Sequence, residues 1–316
     1  MTAATTAPCD LSVVIVTYDS RPYVGACIRS LRQAVCKVSY EIVVADNASP
    51  RSPFVRRVPP RPGDDVRVVE MSRNLGFAAG CNAGIAAARG RHLLLLNPDT
   101  EVAAGALDEL VGFLDGHPEA GAVAPRLVNP DGSDQGTARA FPTPAAALFG
   151  RRSPLTALFP RNPFSRRYLS GLRHEGSEPF EVDWVSGACL MVSRAALDAA
   201  GPLDEGFFMY WEDADWCRRI KAAGFAVFCV PAATVVHDEG ARRRRTPEQV
   251  RWFHESAYRY YAKHHARATR RLLRPAVRLA LRSRAEAIVA WDRVREREPF
   301  PFAPDGEHRP ANLATD

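Results

Sequence analysis

The chain has 316 residues, 46% hydrophobic and 25% charged, with a formal net charge of +6. That balance excludes a disordered or membrane-spanning class, and the length suits one large α/β domain with an appendage, or two modest domains. The charge is uneven: residues 240–298 carry 17 Lys and Arg against 6 Asp and Glu, so a mildly acidic body ends in a basic appendage suited to an anionic partner, either a membrane surface or a nucleic acid.

In chain order, Leu11–Thr17 is a β-branched, continuous run that predicts a buried strand with a polar Thr17-Tyr18-Asp19 tip. Helical spacing follows over 23–35, then a second strand over 40–46 closing on Asp46 and a short third strand over 66–70, with an irregular Pro/Arg-rich stretch at 50–65 between them. An Ala-rich helix follows the Arg73-Asn74-Leu75-Gly76 segment and runs to Arg89. Gly76, Gly80 and Gly84 are spaced G-x3-G-x3-G, which is not a dinucleotide fingerprint. Gly84 reads as a small residue letting a helix pack on a sheet, whereas Asn74, Gly76 and Asn82 suit a phosphate cradle at a helix start.

Leu93–Leu96 is a doubly buried strand stopped at Asn97-Pro98, because proline cannot donate to a ladder. Asp99 is thereby delivered to the carboxyl edge of a sheet, where open α/β folds hold ligands and where a carboxylate can hold a divalent cation. The competing reading is that Asn97, Asp99 and Thr100 cap a following amphipathic helix over 101–114. Strand alternating with helix predicts a mostly parallel sheet with right-handed crossovers.

Another strand is expected over 120–128. Residues 130–180 break the alternation and suit a Pro/Arg-rich lid or a merely mobile insertion. Residues 182–192 read as a strand bent at Gly187, then a helix over 194–200. An aromatic stretch runs from Phe207 to Trp211 into Glu212, Asp213 and Asp215 at a helix start. These carboxylates suit the helix dipole, but aromatics that exclude water favour a base with a raised pKa. His237 closes a second apolar run after the strand at 225–230, as a structural histidine or a metal ligand. From Pro247 the chain is helical and basic, divided or kinked at Pro275, and reads as an amphipathic membrane-surface element or as a packed helical pair. Residues 299–316 read as a disordered tail.

Seven scattered cysteines with no C-x-x-C pair argue against a disulfide framework and for a reducing compartment. The opening MTAATTAPCD resembles no signal peptide, and no run approaches the ~20 apolar residues of a membrane span. A cytoplasmic protein, peripheral on the inner face of the membrane, is expected.

Val14-Ile15-Val16-Thr17-Tyr18, Ala45-Asp46-Asn47-Ala48-Ser49, Arg73-Asn74-Leu75-Gly76-Phe77, Asn97-Pro98-Asp99-Thr100 and Gly206-Phe207-Phe208-Met209-Tyr210-Trp211-Glu212-Asp213-Ala214-Asp215 occur in this order. Together they resemble the inverting family 2 glycosyltransferases of GT-A fold, and within them a rhamnosyltransferase-like branch. The resemblance implies a GT-A domain over 10–239, with 240–298 as a basic helical appendage outside the shared core. It implies transfer of a sugar, rhamnose from a dTDP donor, to a hydroxyl of a polysaccharide or polyprenyl-linked acceptor in cell-envelope glycan synthesis. Asp46 would accept the imide N–H of uracil or thymine. Thr17, Tyr18, Asp19, Arg73, Asn74, Gly76, Asn82 and Asn97 would line the nucleotide sugar, and Trp184, Gly187 and Trp211 the acceptor. Asp99 and His237 would hold Mn2+ or Mg2+ on the diphosphate. Asp213 would be the general base, with Glu212 and Asp215 assisting. The tip is Asn-Pro-Asp where many members have an acid at both ends, and Asp19 stands where Asn is frequent. A different class, a non-catalytic binder using the basic segment for membrane or nucleic acid, has no need for the carboxylates after Trp211.

Overall fold

The computed structural model describes residues 9–34, 36–50, 66–143, 176–238, 245–265 and 268–297. Its strands are β1 (Leu11–Thr17), β2 (Tyr40–Asp46), β3 (Val66–Glu70), β4 (His92–Leu96), β5 (Thr100–Val102), β6 (Ala120–Val128), β7 (Ala138–Arg139), β8 (Phe180–Val182), β9 (Trp184–Val185), β10 (Cys189–Ser193) and β11 (Ala226–His237). The helices are α1 (Arg21–Gln33), α2 (Phe77–Ala87), α3 (Ala106–Gly116), α4 (Arg194–Ala200), α5 (Glu212–Ala222), α6 (Pro247–His264) and α7 (Arg274–Arg297). A 3-10 turn at Ala268–Leu273 precedes α7, and Pro275 sits in the first turn of that helix, so it divides the two C-terminal helices without kinking either.

One sheet runs in the order β3-β2-β1-β4-β10-β6-β11-β5, with β8 added to β11. The pairs β3–β2, β2–β1, β1–β4 and β6–β11 are parallel, and β10 is inserted antiparallel between β4 and β6. The expected mostly parallel sheet is therefore present. Alternation along β1 sorts its side chains between two cores. Val13 and Ile15 face α1 and α3 through Ile28, Leu31 and Leu110, while Val14 and Val16 share a core with Cys81 of α2 and Trp216 of α5. Each fully buried Val or Leu there contributes roughly 1.5–3 kcal/mol. A Cβ on Gly80 would lie 2.6 Å from Val16 Cγ1, and one on Gly84 2.4 Å from Val14 Cγ1. Both glycines thus serve the close helix–sheet approach. All seven cysteines are free, and five of them are buried.

Two expectations are corrected. Thr100–Val102 is a strand, not the start of a helix: its β-branched ends pair with Val235–His237, and α3 begins only at Ala106 after Gly105 in the left-handed region. The capping reading of Asn97-Pro98-Asp99 therefore fails. The runs at 225–230 and 234–237 form one strand, β11, whose register against β6 shifts between Val230 and Thr234, where Pro231 cannot donate. Within the expected insertion, residues 130–143 turn back to pair β7 with β9. Most of the expected lid (144–175), the stretch 51–65 and the tail (299–316) lie outside the described residues. Among the described residues, no helix is long and apolar enough to cross a membrane.

Candidate active site

The parallel strands end together on polar residues. Thr17 lies opposite Asp46 in the β1–β2 register, and Asp46 opposite Glu70. Just beyond, the tips are clasped. Asn47 N–H donates to Thr17 O (2.9 Å), Asp19 N–H to Ser49 Oγ (3.0 Å), and Ser49 N–H to Asp46 Oδ1 (2.9 Å). Asn47 Nδ2 donates to Asn74 Oδ1 and to Gly76 O, both at 2.9 Å, while its Oδ1 accepts from Leu75 N–H. Thr17, Asp46 and Asn47 are buried, and Tyr18 and Arg73 are exposed at the rim. Among the described residues the non-glycine residues with positive φ are Asp19 and Ala48, which follow β1 and β2, and Tyr210 and Trp211, which precede α5. Backbone strain gathers where a ligand site is expected.

Asp99 and His237 meet because β5 pairs with the end of β11: Thr100 is opposite His237, and Asp238 N–H donates to Asp99 O (2.9 Å). Asp99 Oδ1 lies 3.4 Å from His237 Nε2, and Asn97 Nδ2 lies 3.5 Å from the same nitrogen. Gln135 decides the tautomer. Its Nε2 donates to Asn129 Oδ1 (2.7 Å) and His237 O (2.5 Å), so its Oε1 accepts from His237 Nδ1 at 2.8 Å. In the neutral ring Nε2 then presents a lone pair towards a carboxylate oxygen. At 3.4 Å the two acceptors lie a few tenths of an ångström beyond the roughly 3 Å edge spanned by adjacent ligands of a cation with bonds of about 2.1 Å. The pair fits Mn2+ or Mg2+, and an outer hydrogen bond like Gln135's orients such a ligand. No group of three His, Cys, Asp or Glu able to hold a metal occurs among the described residues. Further ligands would come from substrate oxygens. Gln135 falls inside the stretch read from sequence as a lid or a mobile insertion; the Asn129-Pro130-Asp131-Gly132 turn before it was the available signal for a chain reversal.

Asp213 stands in the first turn of α5, after Trp211 in left-handed geometry. Gly187 N–H donates to Asp213 Oδ2 (3.0 Å) and Ala214 N–H to its Oδ1 (2.8 Å). A Cβ on Gly187 would lie 3.3 Å from Asp213 Cβ, so a small residue there keeps the carboxyl seated. Burial raises the Asp213 pKa, against the pull of those N–H groups and of the Arg139 charge. Glu212 is buried beside it, with Oε2 lacking a hydrogen-bond partner among the described residues. Burial first, and then the charge of Asp213, push the Glu212 pKa well above the carboxylate range. Asn97 N–H donates to Ala188 O (2.9 Å), so the Asp99 tip and the Asp213 carboxyl are joined through the neighbouring residues 187 and 188.

Asp215 is placed differently from its expected assisting role. Its buried carboxylate takes Arg219 (2.9 Å), Lys263 (2.8 Å) and His264 (2.7 Å), and so anchors α6. Burial alone would raise its pKa; the bonds from His264, Lys263 and Arg219 outweigh that and lower it. Asn82 likewise points away from the cradle: its amide binds Leu203 N and O (3.0 Å each) and Glu205 (2.9 Å). At the start of α2 the Phe77 N–H is taken by Phe208 O (2.6 Å). Gly76, at φ +94°, is required there, since a Cβ would sit 2.3 Å from that oxygen.

Aromatic rings pack together beside the Asp213 turn. Phe208 packs on Trp252 (4.5 Å between centroids), Trp211 on Phe253 (5.5 Å) and Tyr260 (5.4 Å). Buried Trp184 donates Nε1–H to Ala140 O (2.9 Å) and carries Arg139 over its ring. Sequence reasoning named neither Arg139 nor the helix α6 face as parts of this site.

The chain is 33% identical over 308 residues to N-acetylglucosaminyl-diphospho-decaprenol L-rhamnosyltransferase of Mycobacterium tuberculosis, covering 91% of this chain and 96% of that protein. It is 28% identical to a low-salt glycan biosynthesis hexosyltransferase of Haloferax volcanii, over 80% of this chain and 72% of the relative. Its fold is similar to that of a mannosyltransferase of Pyrobaculum calidifontis solved with GDP-mannose and Mn2+ (TM-score 0.57, 18% identity, 92% of this chain and 81% of the other). It is also similar to GalNAc-T7 solved with UDP, GalNAc and Mn2+ (TM-score 0.59, 18% identity, 93% of this chain), although the match spans only 59% of that protein. The expected GT-A fold is thus present. The model of glycosyl transferase family 2 matches residues 12–198, from the first strand past the turn that seats Asp213. This chain belongs to that family.

Proposed function

We propose that the chain is an inverting glycosyltransferase that moves rhamnose from dTDP-rhamnose to a hydroxyl of a lipid-linked or polysaccharide acceptor in cell-envelope glycan synthesis. The observation that carries this reading is the join between the two chemical halves: Asn97 bonded to Ala188, and Gly187 bonded to Asp213. A diphosphate held at Asp99 and a hydroxyl held at Asp213 then share one cleft.

In this reading Asp46 accepts the thymine imide N–H, while Thr17, Tyr18, Asp19, Arg73, Asn74 and Gly76 line the nucleotide. Asp99 and His237 hold a divalent cation, which when bound neutralises charge on the departing diphosphate. Asp213, partly desolvated but braced by two N–H groups, takes the proton of the acceptor hydroxyl as that oxygen attacks the anomeric carbon. One base and one stabilised leaving group suffice for inversion, with no covalent enzyme intermediate. Glu212, whose carboxyl burial pushes towards its protonated form, limits the negative charge beside Asp213. Trp184, Gly187 and Trp211 shape the acceptor side, and Asp215 and Asn82 support it by packing. The sugar and the lipid-linked acceptor rest on likeness to the mycobacterial rhamnosyltransferase.

Calorimetry of dTDP with and without Mn2+ tests the metal pair. Asp99→Ala is expected to abolish the Mn2+-dependent part of binding; unchanged binding would remove the pair from the reading. A hydrolysis screen over dTDP-, UDP- and GDP-sugars tests the donor, with dTDP-rhamnose expected to turn over fastest.

A further inference from the structure

The helix α7 has two apolar faces where a packed surface helix needs one. The inner face is spent: Ala285 and Val289 are buried with Val250 of α6, and Ile288 packs against them. Ion pairs from Arg251 to Glu286 (2.7 Å) and from Arg278 to Glu255 (3.1 Å) fasten the two helices. At 3.6 residues per turn, Ala276, Leu279, Ser283, Ala287, Ala290 and Trp291 fall on the opposite strip, and every one of them is exposed. Leu279 is 67% and Trp291 62% exposed. The 3-10 turn before the helix adds Leu272 at 84% and Leu273 at 54% exposure. These are four of the six large hydrophobic side chains exposed among the described residues, gathered on the 3-10 turn and the helix that follows it.

The strip is edged with positive charge. Arg282 and Arg293 flank one side and Arg284 the other, all exposed. Glu286, on the same edge as Arg282, is already paired with Arg251. From 268 to 297 the sequence holds nine arginines against Glu286, Asp292 and Glu296. An apolar strip with a tryptophan and arginine borders is the composition of a helix lying in a bilayer interface, its arginine stems extending towards the headgroups. A second copy of the chain fits less well, because a two-fold contact across this strip would bring like-charged arginine rows together.

We infer that the 3-10 turn and the outer strip of α7 form a docking surface for an anionic phospholipid bilayer. The surface is rigidly connected to the site, since α6 carries α7 on one side and on the other holds Asp215 of the base-bearing helix. Docking would therefore set the angle at which the cleft meets the membrane. This deepens the proposed function, resting on its lipid-linked acceptor, but it is tested without any substrate.

The test is flotation of the full chain with vesicles of neutral phosphatidylcholine alone or with about one-third phosphatidylglycerol added. The wild type is expected to float only with the anionic vesicles and to be released at about 1 M NaCl, where the Debye length is about 3 Å. The variant Leu272→Ser/Leu279→Ser/Trp291→Ser should lose about tenfold or more of the bound fraction. It should keep its circular dichroism and its transfer rate to a water-soluble acceptor mimic. No flotation of the wild type, equal flotation with neutral vesicles, or undiminished flotation of the triple variant would overturn the proposal. So would a wild-type dimer in solution that the triple variant abolishes. Because transfer and flotation are read separately, loss of one leaves the other standing.

Discussion

On the side proposed to take the nucleotide, Thr17, Asp46 and Asn97 sit at the ends of strands whose register is fixed by continuous parallel pairing and by two buried cores. On the side of the proposed base, Asp213 is held by a single turn at Gly187, a left-handed Trp211 and a helix anchored through charged side chains about fifty positions further on. The first half takes its frame from the backbone ladder, with Asn47 and Ser49 clasping the tips beyond it. The second depends on side chains, so single substitutions there should separate chemistry from stability.

The largest expected effect is on chemistry. Asp213→Asn keeps the shape of the carboxyl but cannot take a proton, and the transfer rate should fall by about 10²–10⁴-fold. Binding of dTDP by calorimetry should hold, since that surface belongs to the other half. A near-normal rate would show that the base lies elsewhere.

Its neighbour two positions on should behave in the opposite way. Asp215→Ala strips a buried carboxylate from Lys263, His264 and Arg219, costing about 3 kcal/mol of stability in denaturant unfolding. The rate of the surviving folded enzyme should change far less than in Asp213→Asn. A loss of rate without a loss of stability would return Asp215 to the chemistry.

On the ladder side the corresponding anchor is Glu41, at the opposite end of β2. Burial would raise its pKa, but the Ser12 hydroxyl, the Arg89 N–H and the guanidinium groups of Arg67 and Arg89 lower it to about 2. A depressed carboxylate stabilises the fold fully above its unfolded value of about 4.5 and loses that contribution as the pH falls towards about 2. The contribution is about 3 kcal/mol. Thermal unfolding between pH 5 and pH 2 should therefore show a shallower acid loss for Glu41→Gln than for wild type.

The smallest effect is expected at Glu212. Burial and the Asp213 charge push its carboxyl towards the protonated form, so Glu212→Gln should leave the rate within about threefold. The acid limb of the rate profile should then still be set by Asp213, and because burial raises that group, activity should fall at a pH above the ordinary aspartate range. A hundredfold loss in Glu212→Gln would mean that its proton takes part in the reaction.

The same contrast explains what could be read from the sequence. β1, β2, β4 and β6, the α4 helix and the acidic turn of α5 follow from local patterns: continuous apolar runs, a stop at Asn97-Pro98, and carboxylates after an aromatic stretch. Thr100–Val102 was misread because three residues carry too little periodicity to outweigh the amphipathic helix behind them; pairing with β11 decides the matter. Gln135 was invisible for a similar reason. Its meaning lies in His237, 102 positions away. Asp215 and Asn82 carry the residue types of a polar site, yet their partners on α6 and at 203–205 turn them into fasteners.

The cysteines offer a practical handle. Cys9 and Cys36 are the two that are not fully buried, and they precede β1 and β2, at the edge of the sheet remote from Asp46 and Asp99. Burial raises both thiol pKa values, with the Glu41 charge adding to it at Cys9 and the Asp108 charge at Cys36. A maleimide fluorophore attached there at mildly alkaline pH would report on tumbling or vesicle capture while leaving the cleft untouched.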